Sequence, residues 1–199
     1  DAADMVTIDT GKVSARIPKS GRYLIDSLSV DGKEVARHGE LECIDQTEPD
    51  TENHLSDPPR TEYYSEVQKV TVEQSGPVRA VVKIEGVHQQ SGGVERKARE
   101  WLPFVVRLYF YAGQEQVRMV HTSVFDGDMN KDFIRGLGVE FDVPMREQTQ
   151  NRHIRYGNSN GGVWAEPLQL MTGRGRGFGR GGRGGARAPD QLECERLPN

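Results

Sequence analysis

Cysteine is nearly absent: the 199 residues hold only Cys43 and Cys194. Two thiols so far apart in sequence leave a disulfide and a pair of buried thiols both open, and without closely spaced histidines they give no zinc-ligand pattern. Long apolar runs are missing as well. No stretch reaches the roughly 18 residues that a membrane-spanning helix needs, so no membrane partner is expected. The opening Asp1-Ala2-Ala3-Asp4 has neither the basic nor the apolar region of a signal peptide, and no initiator Met. The expectation is a mature product or a piece of a longer protein, in which case the missing signal says nothing about export. Apolar residues are scarce, at 35%, against 28% charged. That is still enough for a core and excludes wholesale disorder. An excess of positive charge is lacking too: 26 basic and 30 acidic side chains give a net charge of −4. A broadly basic nucleic-acid binder is thereby excluded at the level of the whole chain.

The charge is nevertheless uneven. Residues 173–188 carry five of the arginines (Arg174, Arg176, Arg180, Arg183, Arg187) and no acid, which leaves 21 basic against 30 acidic side chains elsewhere. The segment is of the Gly/Arg type, with a loose backbone, guanidinium groups that neutralise phosphates, and Phe178 able to stack on a base. Its alternative reading is a flexible glycine-rich loop on an acidic body. The second reading is preferred, and nucleic acid is not expected as a partner.

The dominant period is two. Val13, Ala15 and Ile17 alternate with Ser14 and Arg16; Val78, Ala80, Val82 and Ile84 alternate with Arg79, Val81, Lys83 and Glu85; Leu137, Val139, Phe141 and Val143 alternate with Gly138, Glu140 and Asp142. Each set predicts a strand with one buried and one wet face. The nearly continuous apolar run Phe104 to Tyr111 predicts a central strand, joined by a hairpin at Ala112-Gly113-Gln114 to a strand within Gln116 to Val124. Asp31-Gly32 marks a second hairpin. Pro18, Pro77, Pro103 and Pro144 are expected at strand edges, where a missing N–H does least harm. No helical stripe persists beyond two turns. About ten short antiparallel strands therefore predict an all-β sandwich with long loops and few or no helices. The polar stretch Asp45 to Arg60, with three prolines, reads as a long loop.

The densest polar cluster is Asp126-Gly127-Asp128-Met129-Asn130-Lys131-Asp132. It begins like a calcium loop, but an EF-hand needs Gly at its sixth position and Glu at its twelfth, where Lys131 and Leu137 stand. Calcium stays open as a cofactor, beside a plain solvated turn and beside a substrate loop. In the substrate-loop reading Lys131, Asp132 and Arg135 face a charged or hydroxylated ligand. A second cluster, Asn151-Arg152-His153-Ile154-Arg155-Tyr156, puts His153 and Arg155 on one strand face. That suits a carboxylate ligand, and it equally suits a charged outer face. His121 lies in the half-buried register of Met119, where a core histidine is the usual reading and a catalytic base the alternative. Arg107, Tyr109 and Tyr111 share a face suited to stacking on sugars or to cross-strand packing.

Three stretches together resemble a known family. They are Val120-His121-Thr122-Ser123-Val124-Phe125-Asp126-Gly127-Asp128 with Lys131-Asp132-Phe133-Ile134-Arg135-Gly136-Leu137-Gly138-Val139; Asn151 to Tyr156 with Gly161-Gly162-Val163-Trp164-Ala165-Glu166-Pro167-Leu168-Gln169; and Gln191-Leu192-Glu193-Cys194-Glu195-Arg196-Leu197-Pro198. They are similar to the exo-rhamnogalacturonan lyase-like (YetA-like) proteins, which have a β domain, a central β-sandwich and a helical toroid. The resemblance implies that residues 1–172 form the central, supersandwich-like antiparallel β-sandwich. The first thirty or so residues would be shared with a preceding β domain. Residues 173–188 would be a loop, and 189–199 would lead toward a further domain. It implies β-elimination on a rhamnogalacturonan-type pectin or a related uronic-acid glycan, outside the cell or in the periplasm, with neighbouring domains of the same chain as partners. Lys131 or His121 would be the base. Asp132, Arg135, Arg152, His153, Arg155 and Trp164 would bind substrate. The alternative from another class is a non-catalytic module that binds RNA or another polyanion through the Gly/Arg segment, or a structural domain only.

Overall fold

The computed structural model describes residues 4–49, 58–91, 99–148, 151–157 and 163–167. Eleven strands appear among them and no helix: β1 (Met5–Asp9), β2 (Val13–Pro18), β3 (Ile25–Val30), β4 (Lys33–Gln46), β5 (Arg60–Ser75), β6 (Arg79–Gln90), β7 (Glu100–Tyr111), β8 (Val117–Ser123), β9 (Phe133–Asp142), β10 (His153–Gly157) and β11 (Val163–Pro167). All pairings are antiparallel, as the alternating pattern predicted, though β4 and β5 are longer than short strands, with 14 and 16 residues.

The chain divides into two compact units, Asp1–Pro144 and Met145–Asn199. In the first, nine strands form one sheet in the order β1 to β8, with β9 attached to β4. β4 organises it. Along one edge its first half pairs with β3, from Lys33 to Gly39, and its second half pairs with β5, from Glu42 to Gln46. β9 runs along the other edge from Arg37 to Gln46. The sheet folds over at this strand, so that Val13, Ala15 and Ile17 of β2 meet Val82 and Ile84 of β6 and Phe104, Val106, Leu108 and Phe110 of β7 in one apolar core. β2 shows the predicted alternation, with Val13, Ala15 and Ile17 buried and Ser14 and Arg16 exposed. Burial of such apolar sets from water is the main source of stability for a two-layered body.

Local chemistry sets the turns. Asp31 and Gly32 have φ of 48° and 75°, the positive pair that a tight two-residue hairpin requires, and they join β3 to β4 as the sequence predicted. Three expectations need correction. Val78, read as part of a buried row, lies before β6 and is 70% exposed, while Val81, read as wet, is buried. Pro103 lies inside β7, not at its edge. The pairing with β6 slips between Gly86 and His88, so Pro103 sits in a bulge where no ladder donor is needed. Leu137 and Val139 do face inward, opposite the buried Cys43 and Leu41, yet remain 43% and 41% exposed.

In the second unit β10 and β11 form a hairpin with His153 opposite Pro167 and Tyr156 opposite Trp164. Cys43 is a buried free thiol. Cys194 and the Gly/Arg segment 173–188 lie outside the described residues.

Candidate functional site

The loop between β8 and β9 carries the Asp126–Asp132 cluster, and each of its carboxylates has a defined task. Asp126 Oδ1 accepts the Leu102 N–H at 2.7 Å. Asp128 Oδ1 accepts the Asn130 N–H at 3.0 Å, and its carbonyl accepts the N–H groups of Lys131 and Asp132. Asp132 accepts the Asp128 N–H at 2.7 Å and both terminal nitrogens of Arg99, each at 2.7 Å. The Arg99 guanidinium holds the Asp132 carboxyl below its ordinary pKa, as a charge-assisted, two-bonded pair does. Arg99 also lies over the Trp101 ring at 4.8 Å, and Trp101 packs against Tyr63 and Phe125. Gly127 must be glycine for a steric reason. A Cβ there would stand 2.7 Å from Asp132 Oδ2 and 2.8 Å from the Trp101 ring.

The anchor of this loop is strained. Leu102 has a φ of 49°, in the left-handed region, which a non-glycine residue occupies only when its surroundings hold it there. Here Asp126 takes its N–H, and its carbonyl accepts the Nδ1–H of the fully buried His88 at 2.8 Å. That bond fixes the His88 tautomer with Nε2 as an acceptor, and Nε2 has no partner. Beside the clamp, Asp45 is buried with Oδ1 unpartnered, and burial together with the nearby Asp132 charge pushes its carboxyl up.

The loop closes one side of a cleft of about 530 Å³. Gln46 at the end of β4 and Pro49 beyond it line the cleft, Phe125 and Met129 line it from the loop, and Phe133, Ile134 and Arg135 line it from the start of β9, with Asp132 also on its wall. The structure therefore brings Asp132 and Arg135 to one groove. Lys131, on the same loop, is 79% exposed, with its amine 3.4 Å from Asp128. His121 stands apart from the cleft walls. It lies on β8 opposite Val106, half-buried, with ring contacts to Phe104 and His88 at 6.4 Å. Its Nε2 is buried without a partner, and burial lowers its pKa.

The remaining residues belong to the second unit. The Arg152 Nε–H donates to the Glu147 carbonyl at 2.7 Å, and His153 Nδ1 lies 3.3 Å from the Asn151 carbonyl. His153 and Arg155 are exposed while Ile154 between them is half-buried, as their alternation implied. Trp164 pairs with Tyr156 across the hairpin.

Among the described residues no three His, Cys, Asp or Glu side chains gather as metal ligands do. The calcium-like start of the loop is explained by carboxylates turned to backbone N–H groups and to Arg99. Sequence reasoning missed Arg99, Trp101, Tyr63 and Asp45, which reach the loop from β4, β5, β7 and the residue before β7. The only local signal was Gly127 wedged between two aspartates.

Comparison with known proteins agrees with the fold. All of residues 1–199 match the family described as the PcRGLX-like protein central beta sandwich domain. The chain is also similar to the uncharacterized protein YetA of Bacillus subtilis (strain 168), 39% identical over 166 residues. That alignment covers 83% of this chain and 19% of the relative, so the chain spans about a fifth of the longer protein.

Proposed function

This chain belongs to the PcRGLX-like central β-sandwich family, and we propose that it serves as the sandwich domain of a polysaccharide lyase acting by β-elimination on rhamnogalacturonan-type pectin or a related uronic-acid glycan. In such a reaction a base removes the proton α to the uronate carboxylate, cationic groups stabilise the enediolate, and the departing oxygen at the β carbon leaves an unsaturated sugar. Extracellular or periplasmic residence follows from that substrate.

The observation that supports the reading is the cleft beside a loop that is pinned from below, with Arg135 on the cleft wall and Lys131 exposed next to Asp132. Asp132 and Asp126 anchor the loop to Arg99 and Leu102. The Lys131 amine is presented to solvent beside the groove, and Arg135 contributes to its wall. A cation of this kind on the wall suits a uronate carboxylate. The long amine of Lys131 has the reach and chemistry of a base. Asp132, with both oxygens committed, acts as a positioning residue. His121 is the second candidate for the base, and its neutral imidazole suits that role. Arg152, His153, Arg155 and Trp164 are proposed as carboxylate and sugar contacts on the second unit.

The test uses the full-length protein with Lys131→Ala, Arg135→Ala, Arg152→Ala and His121→Ala made singly. Unsaturated uronate is followed by its absorbance near the ultraviolet edge. Loss of a catalytic base or carboxylate clamp is expected to lower kcat/KM by about 10²-fold or more. Rates unchanged in all four variants would remove these residues from the mechanism, and absence of any unsaturated product from the parent protein would sink the lyase reading itself.

A further inference from the structure

Large apolar side chains that stand exposed are not scattered over this domain. Of nine such residues among those described, seven fall between Val124 and Val143. Val124, Phe125 and Met129 on the loop are 60%, 43% and 79% exposed; Ile134, Leu137 and Val139 on β9 are 40%, 43% and 41% exposed. Single exposed apolar residues are ordinary on any protein. A contiguous set on one loop and the strand that follows it marks a contact surface.

A second observation is independent of side chains. β9 is hydrogen-bonded to β4 along one edge, and among the described residues no strand pairs with its other edge. It runs for ten residues with no proline inside it. A long, apolar-faced edge is what natural proteins shield, because it templates aggregation, and the two register shifts against β4 interrupt this one only locally. Here Leu137 and Val139 stand opposite the fully buried Cys43 and Leu41 and are themselves 43% and 41% exposed. The sandwich is left with an uncovered shelf.

We propose that this shelf, the inward face and free edge of β9 with the apolar loop residues beside it, is the docking surface for a flanking domain of the same polypeptide. Two findings fix the occupant. The family to which the chain belongs is defined by its central position, and the chain accounts for 19% of its much longer relative. A tethered neighbour needs no independent affinity, since the linker supplies a high effective concentration. Apolar burial then covers the shelf permanently, as in an obligate interface. The inference rests on the fold and not on lyase chemistry. It also has a consequence for that chemistry: Lys131 and Arg135, between the exposed loop and β9, would be carried to the seam between two domains, where binding clefts concentrate.

The test is photo-crosslinking in the full-length protein with p-benzoylphenylalanine placed at position 137 and, separately, at 139, and with position 72 as an exposed apolar control on another strand. Both β9 positions should give intramolecular crosslinks to residues outside this 199-residue chain, in a yield independent of protein concentration, and position 72 should not. Crosslinks that join two copies and grow with concentration, crosslinks only to residues 145–199, or no protein crosslink at all would each overturn the proposal. Hydrogen exchange on the unmodified full-length protein guards against misfolded variants. Amides of β9 not bonded to β4 should exchange at least about 100-fold slower than unstructured amides, and exchange at the unstructured rate would overturn it. Neither readout depends on substrate, so it can fail while lyase activity stands, and the reverse.

Discussion

Arg99 and Asp132 meet through two parallel hydrogen bonds of 2.7 Å, one end 40% exposed and the other 7%. The asymmetry matters. Water can hydrate the guanidinium if its partner is lost, but the buried carboxylate has only the Asp128 N–H to fall back on. The pair thus links the residue before β7 to the loop before β9, 33 positions later, at a residue that lines the cleft.

Arg99→Ala should therefore cost more than Asp132→Asn. Leaving a largely buried carboxylate without its cation is expected to lower stability by about 3 kcal/mol, and the amide variant by about 1–2 kcal/mol. In the parent protein the Asp132 pKa is lowered, so this contribution is present above the unfolded carboxylate range and is lost as pH falls through the folded value. Urea midpoints at neutral and acid pH check both statements. Equal losses for the two variants would contradict them.

His88 and His121 predict an acid-side loss of their own, from shifts in the same downward direction. Burial lowers both pKa values below the ordinary 6.5. The unfolded chain then binds more protons between the folded values and about 6.5, so stability falls as pH drops through that window and levels below it. Denaturant unfolding from pH 7.5 downward should show this slope, and His121→Leu should make it shallower. A slope unaltered by that substitution would show that His121 is not a source of it.

Gly86 lies where β5 and β7 both crowd β6. A Cβ there would stand 2.2 Å from the Glu66 carbonyl oxygen and 2.7 Å from the Phe104 ring. Backbone cannot yield as a flexible side chain can, so Gly86→Ala is expected to cost about 3 kcal/mol by overpacking. Gly138→Ala, with nothing within 4 Å of the added carbon, is the matched control and should change stability by less than about 1 kcal/mol. Thermal unfolding of both variants decides it.

Lys131→Ala should be structurally silent. Its side chain is 79% exposed and its ion pair with Asp128 is an exposed contact, a kind worth roughly 0–1 kcal/mol. An unfolding midpoint within about 0.5 kcal/mol of the parent, together with a fall in lyase rate, would assign the loss to function.

The all-β class, the two hairpins and the inward row of β2 were legible because strand period and turn chemistry are local; on β6 only Val82 and Ile84 of the expected row are fully buried. Asp31-Gly32 needs nothing beyond its neighbours to turn. That the segment before β9 lies at a groove was legible for the same reason: charge and glycine crowd into a loop between two strands. The partners of that loop were not. Arg99 and Asp132 are brought together by sheet register, which no short window contains. Pro103 misled because a bulge licenses a proline inside a strand, and the licence is written in the opposite strand at Gly86 and His88. Leu137 and Val139 alternate as core residues do, and only the folded structure shows that they stay 43% and 41% exposed.

β4 has a further meaning. Its first half is held by β3, its second by β5, and β9 returns from nearly a hundred residues later to bind its far side. One ribbon of backbone is common property of both leaves, so neither leaf can peel away intact while the other survives. Residues 4–144 are thereby committed to melting as a unit, and the last stitch in the weave cannot be made until the chain has been drawn out as far as Phe133.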